Sequence, residues 1–95
     1  MAVLEVETFS LVAGTDPQAF RALDEAMQEW CYLNRSGLAR RTTARNDDGT
    51  YVVITLFGDA SQSVTDYYKS NDAVVVAWSV AINESSRSVA TYSLL

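Results

Sequence analysis

The segment from Tyr51 to Phe57 most constrains the fold, because Tyr-Val-Val-Ile-Thr-Leu-Phe is the strongest strand signal in the chain. Every residue in it is β-branched, aromatic or aliphatic, the types that suit a pleated surface. Successive side chains point to opposite faces, so neither face shows the polar pattern of a solvated strand. Such a strand is covered on both sides. A single helix layer covers one face, and the simplest cover for the other is a second copy of the protein. The sequence leaves open which face meets the partner.

Length and composition predict one globular domain that spans residues 1–95. Hydrophobic residues make up 48% of the chain and charged residues 20%, which is typical of a folded domain rather than a disordered one. A core of this size is marginal, so dimerisation would add stability. The net charge of -5 disfavours binding to nucleic acid or to an anionic membrane, because phosphate contacts need clustered Lys and Arg.

The single cysteine, Cys31, rules out an internal disulfide framework and favours a reducing compartment. The N-terminal run carries Glu5 and Glu7, which the apolar centre of a signal peptide would not tolerate. The apolar runs are all shorter than a membrane-spanning helix requires. We therefore expect a cytoplasmic protein without a membrane partner.

Hydrophobic periodicity and turn residues predict four strands and two main helices. Asp16 can cap the first helix and Pro17 suits its first turn, while Gly37 can take the positive φ that follows a helix end. Asn46 to Gly49 predicts a hairpin turn. The predicted elements are the strand Val3–Leu11, the helix Pro17–Asn34, the strands Leu38–Asn46 and Tyr51–Phe57, a polar helical stretch at 60–70, the helix Ala73–Ile82 and the strand Arg87–Leu95.

The segment Ala73–Ile82 carries conflicting signals. Its Val-Val-Val run at 74–76 favours a strand. Its apolar residues Val75, Trp78 and Ile82 are spaced as on one face of a helix, and the preceding Asp72 can begin one. We interpret the segment as a buried helix.

The first strand presents two different faces. Glu5 and Glu7 share one face, which must meet water, a partner or arginines. Leu4 and Val6 share the other face, and we expect this apolar face to pack against the helices.

The order strand, helix, strand, strand, helix, strand is the split βαβ arrangement, a ferredoxin-like βαββαβ fold of the α+β class. Right-handed crossovers then give a four-stranded antiparallel sheet of order 4-1-3-2. The strand Tyr51–Phe57 lies inside this sheet.

Several short motifs, spread over nearly the whole chain, together resemble the dimeric α/β-barrel superfamily and especially its antibiotic-biosynthesis-monooxygenase-like domains. They are Phe9-x-Leu11-x3-Thr15-Asp16, Phe20, the Ser-Gly-Leu-x-Arg-Arg run at 36–41, Asp48-Gly49-Thr50-Tyr51 and Ile82-Asn83. The resemblance implies a homodimer in which two sheets pack face to face. It also implies a possible reaction, since some relatives oxidise phenols or anthrones with O₂ and without a cofactor.

The absence of histidine restricts the available chemistry. A serine or cysteine nucleophile with a histidine base is excluded, and so is a histidine-rich metal site. The chain departs from the haem-degrading members of the superfamily, which hold iron through histidine. We therefore expect no metal and no cofactor, and we interpret Cys31 as a buried structural residue.

The adjacent arginines Arg40 and Arg41 face opposite sides of a strand, so one of them points into a covered region. Two interpretations remain open. One is a buried ion pair with Glu5 or Glu7. The other is a clamp for an anionic ligand, which suits the fixed charge and planar donors of arginine. Together with the large rings and one amide, the candidate ligand-binding residues are Trp30, Arg40, Arg41, Tyr51, Tyr67, Tyr68, Asn71 and Trp78.

Two functional hypotheses follow. The first is a small homodimeric protein that binds a small aromatic or apolar ligand between helices and sheet, without a catalytic motif. The alternative is a cofactor-independent monooxygenase acting on a phenolic or polyketide-like aromatic substrate. The missing acid–base pair favours the first hypothesis, whereas a closed cavity lined by rings with an arginine at its wall would favour the second.

Overall fold

Four strands and two α-helices follow each other in the predicted order. The computed structural model describes residues 2–59 and 67–95. The strands and α-helices are β1 Val3–Phe9, α1 Pro17–Asn34, β2 Leu38–Arg45, β3 Tyr51–Phe57, α2 Ala73–Val80 and β4 Ser88–Ser93. Short 3₁₀ turns at Tyr67–Lys69 and Glu84–Ser86 precede α2 and β4.

The sheet order is β2-β3-β1-β4, and every pair of neighbouring strands is antiparallel. This confirms the predicted ferredoxin-like α+β fold with the order 4-1-3-2. β3 lies between β2 and β1, as the apolar character of both its faces required.

Helix α1 begins and ends where its sequence signals predict. The side chain of Asp16 accepts a hydrogen bond from the backbone N–H of Gln18, and Pro17 opens the first turn. Gly37 follows the helix with φ of 76°, a conformation that favours glycine. The predicted hairpin turn is also present, because the side chain of Asn46 accepts hydrogen bonds from two backbone N–H groups within the turn.

The strand β3 has the predicted bounds, whereas β1, β2, α2 and β4 are shorter than predicted. Helix α2 ends at Val80 rather than Ile82, and Ile82 instead bridges Leu11, which lies beyond the end of β1. The last strand ends at Ser93 rather than Leu95. Most of the helical stretch predicted at 60–70 lies outside the described residues.

A cluster of aromatic rings forms the core beneath the helices. The ring of Phe9 stacks on that of Tyr51 with centroids 5.7 Å apart. Phe20 and Trp78 meet Phe9 edge-on at 6.0 and 5.7 Å. These side chains come from β1, β3, α1 and α2, so one ring cluster joins both helices to the middle of the sheet.

The expected orientation of β1 is wrong. Glu5 and Glu7 are each only 2% exposed and lie on the buried face beside Phe9. Leu4 and Val6 lie half-buried on the opposite face. Strand periodicity separates the two sets of side chains but does not say which set turns inward. Here the carboxylates of Glu5 and Glu7 can turn inward because buried arginines pair with them.

The opposite side of the sheet forms what we call the open sheet face. In β1 and β3 its residues are half-buried or exposed, whereas those of the helix-facing side are buried throughout. Ile54 at its centre is 38% exposed and Tyr92 is 56% exposed. By strand register this face comprises Leu4, Val6, Thr8, Arg40, Thr42, Ala44, Val52, Ile54, Leu56, Ser88, Ala90 and Tyr92.

Neither helix of the described residues is both long enough and apolar enough to span a membrane.

Candidate functional site

A set of ionised side chains lies buried between the helices and the sheet, and we call it the buried charged layer. The guanidinium Nη2 of Arg35 lies 3.2 Å from Oε1 of Glu5, and Nε of Arg87 lies 2.9 Å from Oε2 of Glu7. All four side chains are at most 4% exposed. Arg35 follows the end of α1, and Arg87 precedes β4. The two pairs therefore tie the ends of two elements to the middle of the sheet.

Arg41 forms the third pair of the buried charged layer, but with a different partner from the one predicted. Its Nη2 lies 2.8 Å from Oδ1 of Asp24 on α1, and its side chain is fully buried. Burial of one of the two adjacent arginines is therefore confirmed, whereas the prediction of Glu5 or Glu7 as partner is wrong. Both glutamates lie on β1, which β3 separates from β2, and each already has its own arginine.

A β-bulge in β2 decides which of the two arginines faces inward. The strand register shifts between Leu38, opposite Phe57, and Arg40, opposite Leu56. Simple alternation from the inward-facing Leu38 would turn Arg40 toward the helices. The extra residue of the bulge turns Arg41 inward instead and leaves Arg40 exposed on the open sheet face.

The arginines of the buried charged layer also contact aromatic rings. The guanidinium carbon of Arg35 lies 3.8 Å from the ring centroid of Tyr67, and that of Arg87 lies 3.9 Å from the centroid of Tyr68. Arg87 lies in addition 5.3 Å from the centroid of Trp78. Cation–π contacts of this kind add stabilisation in a desolvated setting. The rings therefore occupy the space beside the ion pairs.

Burial changes the protonation equilibria of three side chains in and beside this layer. Burial raises the pKa of Glu7, and the neighbouring charge of Arg87 only partly offsets this effect. Burial, followed by the charge of Glu7, raises the pKa of Tyr67 well above its ordinary value. Tyr67 therefore stays protonated at neutral pH and donates a hydrogen bond of 2.8 Å to Oε1 of Glu7. Burial also raises the pKa of Cys31, so its thiol is a poor nucleophile.

Four of the eight candidate residues predicted from the sequence come together in the interior. Arg41, Tyr67 and Trp78 are buried, and Tyr68 is half-buried beside them. Trp78 also donates from Nε1 to Oδ1 of Asp24, at 3.0 Å. These side chains pack against one another, so in the described residues they fill the interior.

The other four candidates are dispersed. Tyr51 lies in the ring cluster, and half-buried Trp30 donates from Nε1 to Asp72 at 2.7 Å. Arg40 lies on the open sheet face, and Asn71 is exposed before α2. Among these four, Tyr51 borders a cavity between α1 and the β2–β3 hairpin.

This cavity, which we call the α1–β2 cleft, has a volume of about 380 Å³. It opens between the N-terminal half of α1 and the hairpin that β2 and β3 form. The small side chain of Thr43, which faces the helix opposite Val53, leaves this space beneath it. The cleft is lined by Pro17, Gln18, Phe20, Arg21, Asp24, Glu25, Thr43, Ala44, Arg45 and Tyr51.

Sequence reasoning missed most of the residues that line the cleft. Arg45 ends β2, and its guanidinium carbon lies 6.0 Å from the ring centroid of Tyr51. Thr43 lies two residues before it, facing the helix, opposite Val53. The available signal was a polar series at positions 41, 43 and 45 along one face of a strand that a helix covers. Within residues 2–59 and 67–95, no cluster of three acidic or cysteine side chains could hold a metal ion.

We expect Arg41→Ala to lower the free energy of unfolding by about 3–5 kcal/mol, because it leaves the carboxylate of Asp24 without its buried partner. The control variant Arg21→Ala removes the same side chain from an exposed surface pair on α1 and should cost less than about 1 kcal/mol. Urea denaturation at a fixed protein concentration measures both values. Equal losses from the two variants would contradict the assignment of Arg41 as the buried partner.

Glu7 should make stability dependent on pH. Its folded-state pKa is raised above the ordinary value of 4.5, so its contribution to stability is fully present below that pH and is lost as pH rises through the folded-state pKa. The unfolding free energy of the parent should therefore fall relative to that of Glu7→Gln as the pH rises from 4.5 toward neutrality. Denaturation across this range tests the slope, with Glu29→Gln as a control for loss of an exposed carboxylate. A parent and a Glu7→Gln variant with parallel profiles would refute the assignment.

Comparison with known proteins finds similarity in structure alone. No protein-family model matches the sequence, and no curated protein matches it. The cofactor-independent oxygenase SnoaB of Streptomyces nogalater superposes with a TM-score of 0.69 at 16% identity, over 99% of this chain and 93% of its own. A proposed antibiotic biosynthesis monooxygenase of Caulobacter crescentus superposes with a TM-score of 0.73 at 16% identity, over 99% of this chain and 90% of its own.

A third similar structure is a dimeric protein of unknown function from Bacteroides fragilis, described as ferredoxin-like. It superposes with a TM-score of 0.62 at 13% identity, over 98% of this chain and 96% of its own. These matches cover nearly the whole chain and confirm, at the level of fold, the resemblance carried by the sequence motifs. The chain therefore has the ferredoxin-like α+β fold that SnoaB, the proposed monooxygenase of Caulobacter crescentus and the Bacteroides fragilis protein share.

Proposed function

We propose that this protein is a small homodimer that binds a small aromatic or apolar ligand between helix and sheet, without a catalytic motif of its own. The α1–β2 cleft is the observation that carries this proposal. Its volume of about 380 Å³ falls within the range of known small-molecule sites. Tyr51 and Phe20 border it, with ring centroids 5.1 Å apart, and supply aromatic surface at its inner end.

The proposed homodimer rests on the composition of the open sheet face. Its centre consists of Val6, Ile54 and Leu56 with their strand neighbours, and carboxylates are absent from this face. An uncovered apolar sheet of this extent is a surface that monomeric proteins avoid. A two-fold partner would cover it with the same surface. The dimeric Bacteroides fragilis protein of the same fold supports this arrangement.

Binding is favoured over catalysis because the candidate bases are already engaged. Asp24 lines the cleft, but its carboxylate is held by Arg41 at 2.8 Å and by Nε1 of Trp78 at 3.0 Å. Tyr67 is protonated and donates to Glu7. A general base needs a free oxygen that reaches the substrate proton, whereas Asp24 is held by two donors and Tyr67 keeps its own proton.

The second candidate function is a cofactor-independent monooxygenase acting on a phenolic or polyketide-like aromatic substrate. The structural similarity to a cofactor-independent oxygenase supports it. In that reaction the substrate supplies the electrons, one oxygen atom of O₂ ends in the product and the other in water. Oxygen uptake with an anthrone, in the absence of added flavin or metal, distinguishes the two functions. Uptake above the spontaneous rate, lost on filling the cleft, would favour the oxygenase.

Filling the cleft should abolish ligand binding. We expect Thr43→Phe to weaken the binding of 2-naphthol, a small aromatic probe, at least about tenfold, because the new ring occupies the space beneath α1. Thr91→Phe makes the same change on the opposite edge strand, where Thr91 is exposed, and should bind as the parent does. Amide chemical-shift titration by NMR measures affinity and location together. Equal affinity in the parent and Thr43→Phe would place the ligand elsewhere.

Breaking the open sheet face should dissociate the homodimer. Ile54→Asp places a charge at its apolar centre and should raise the dimer dissociation constant about a hundredfold or more, because covering the face would then bury a carboxylate. Leu33→Asp changes an apolar residue of α1 that is 77% exposed, and it should leave the dimer intact. Sedimentation equilibrium at micromolar concentration measures both variants. A parent protein that is monomeric under these conditions would refute the proposed homodimer.

A further inference from the structure

We infer that the ligand of the α1–β2 cleft is a small aromatic carboxylate, with the guanidinium of Arg45 as the group that binds its negative charge. This inference rests on the proposed function, because it specifies the ligand class of the same cleft. It specifies that the ligand is negatively charged and that Arg45 recognises this charge. A purely apolar site would have neither feature.

The charges of the cleft are balanced except at Arg45. Asp24 is paired with Arg41 at 2.8 Å, and Glu25 is paired with Arg21 at 3.5 Å. In the described part of the chain, no carboxylate lies within ion-pair distance of the guanidinium of Arg45. The cleft therefore presents two matched pairs and one arginine that an anion could pair with.

The position of Arg45 beside Tyr51 suits a ligand that carries both a ring and a carboxylate. The guanidinium carbon lies 6.0 Å from the ring centroid of Tyr51, at the outer end of the cleft. A ligand ring that enters beside Tyr51 would bring a carboxylate on its edge within reach of the guanidinium. Arginine binds carboxylates through two parallel N–H donors, a geometry that lysine cannot provide.

Thr43 supplies a second, independent polar group. Its hydroxyl oxygen is buried and has no hydrogen-bond partner among residues 2–59 and 67–95. The side chain lies on the same strand face as Arg45 and lines the cleft. A buried hydroxyl without a partner is unfavourable, and a ligand oxygen at this point would remove that cost. Both unmatched groups of the cleft can thus donate hydrogen bonds to an anion.

The net negative charge of the whole chain opposes the binding of any anion, so a measured preference for anionic ligands is a demanding test of the inference. With a formal charge of -5, the protein as a whole repels anions. Preferential binding of a carboxylate must therefore come from local groups rather than from the overall field. Nonspecific attraction would instead favour a cationic probe.

Three probes of one shape test the sign of the charge: 2-naphthoate, neutral 2-naphthol and the cation 2-naphthylmethylamine. We expect the parent to bind 2-naphthoate about tenfold more tightly than 2-naphthol, and the amine most weakly, because a hydrogen-bonded charge pair contributes more than a neutral contact. Arg45→Gln should weaken 2-naphthoate binding about tenfold and leave 2-naphthol binding unchanged. Lys69→Gln, which removes an exposed cation outside the cleft, is the charge-matched control and should change neither.

The possible outcomes separate this inference from the proposed function. If the parent binds 2-naphthol in the cleft but shows no preference for 2-naphthoate, or Arg45→Gln does not alter that preference, the inferred ligand class is wrong while the proposed binding function stands. If none of the probes shifts the amides of the cleft, both are overturned. A severalfold loss of 2-naphthoate affinity in Thr43→Val, with 2-naphthol affinity unchanged, would further support Thr43 as the second donor to the carboxylate. Since Arg45 is exposed, its replacement should leave the fold intact, and denaturation of each variant verifies this.

Discussion

The fold depends on the pairing of buried carboxylates with buried arginines. Taking an unpaired charge out of water costs several kcal/mol even after the protein relaxes, so Glu5 and Glu7 can face the helices only if cations meet them there. Arg35, which follows α1, and Arg87, which precedes β4, are those cations. The inward orientation of β1, the exit of α1 and the entry of β4 are therefore mutually dependent. We suggest that these pairs specify the arrangement of the elements more than they add to its stability.

The buried charged layer also explains where a ligand can bind. Its arginines pack on Tyr67, Tyr68 and Trp78, so the described interior beneath α2 is occupied by the protein's own side chains. The free space lies instead beneath the N-terminal half of α1, where β2 presents the small side chain of Thr43. Asp24 connects the two regions, because it pairs with Arg41 in the layer and lines the cleft. Through this carboxylate, ligand binding in the cleft would be sensitive to the packing of Trp78.

Much of the fold could be predicted from local signals, whereas the site required contacts between distant residues. The caps of α1 and the hairpin after β2 are decided by neighbouring residues, and sequence reasoning placed them correctly. The choice between Arg40 and Arg41 depends on a bulge that no local pattern of apolar residues marks. The partner of Arg41 depends on strand order, which places β3 between it and the glutamates. The cleft depends on how closely α1 approaches β2, which side-chain periodicity does not encode.

The inward carboxylates have a consequence for the other side of the sheet. Because the charged side chains of β1 point toward the helices, Leu4 and Val6 lie on the open sheet face beside Ile54 and Leu56. The usual division, with apolar residues toward the helices and polar residues outward, is thus reversed in this strand. Covering the open sheet face would remove water from apolar surface without desolvating a carboxylate. The cost of burying carboxylates falls within the subunit, where arginines offset it, and Arg40 is the charged side chain left on the surface proposed to join two subunits.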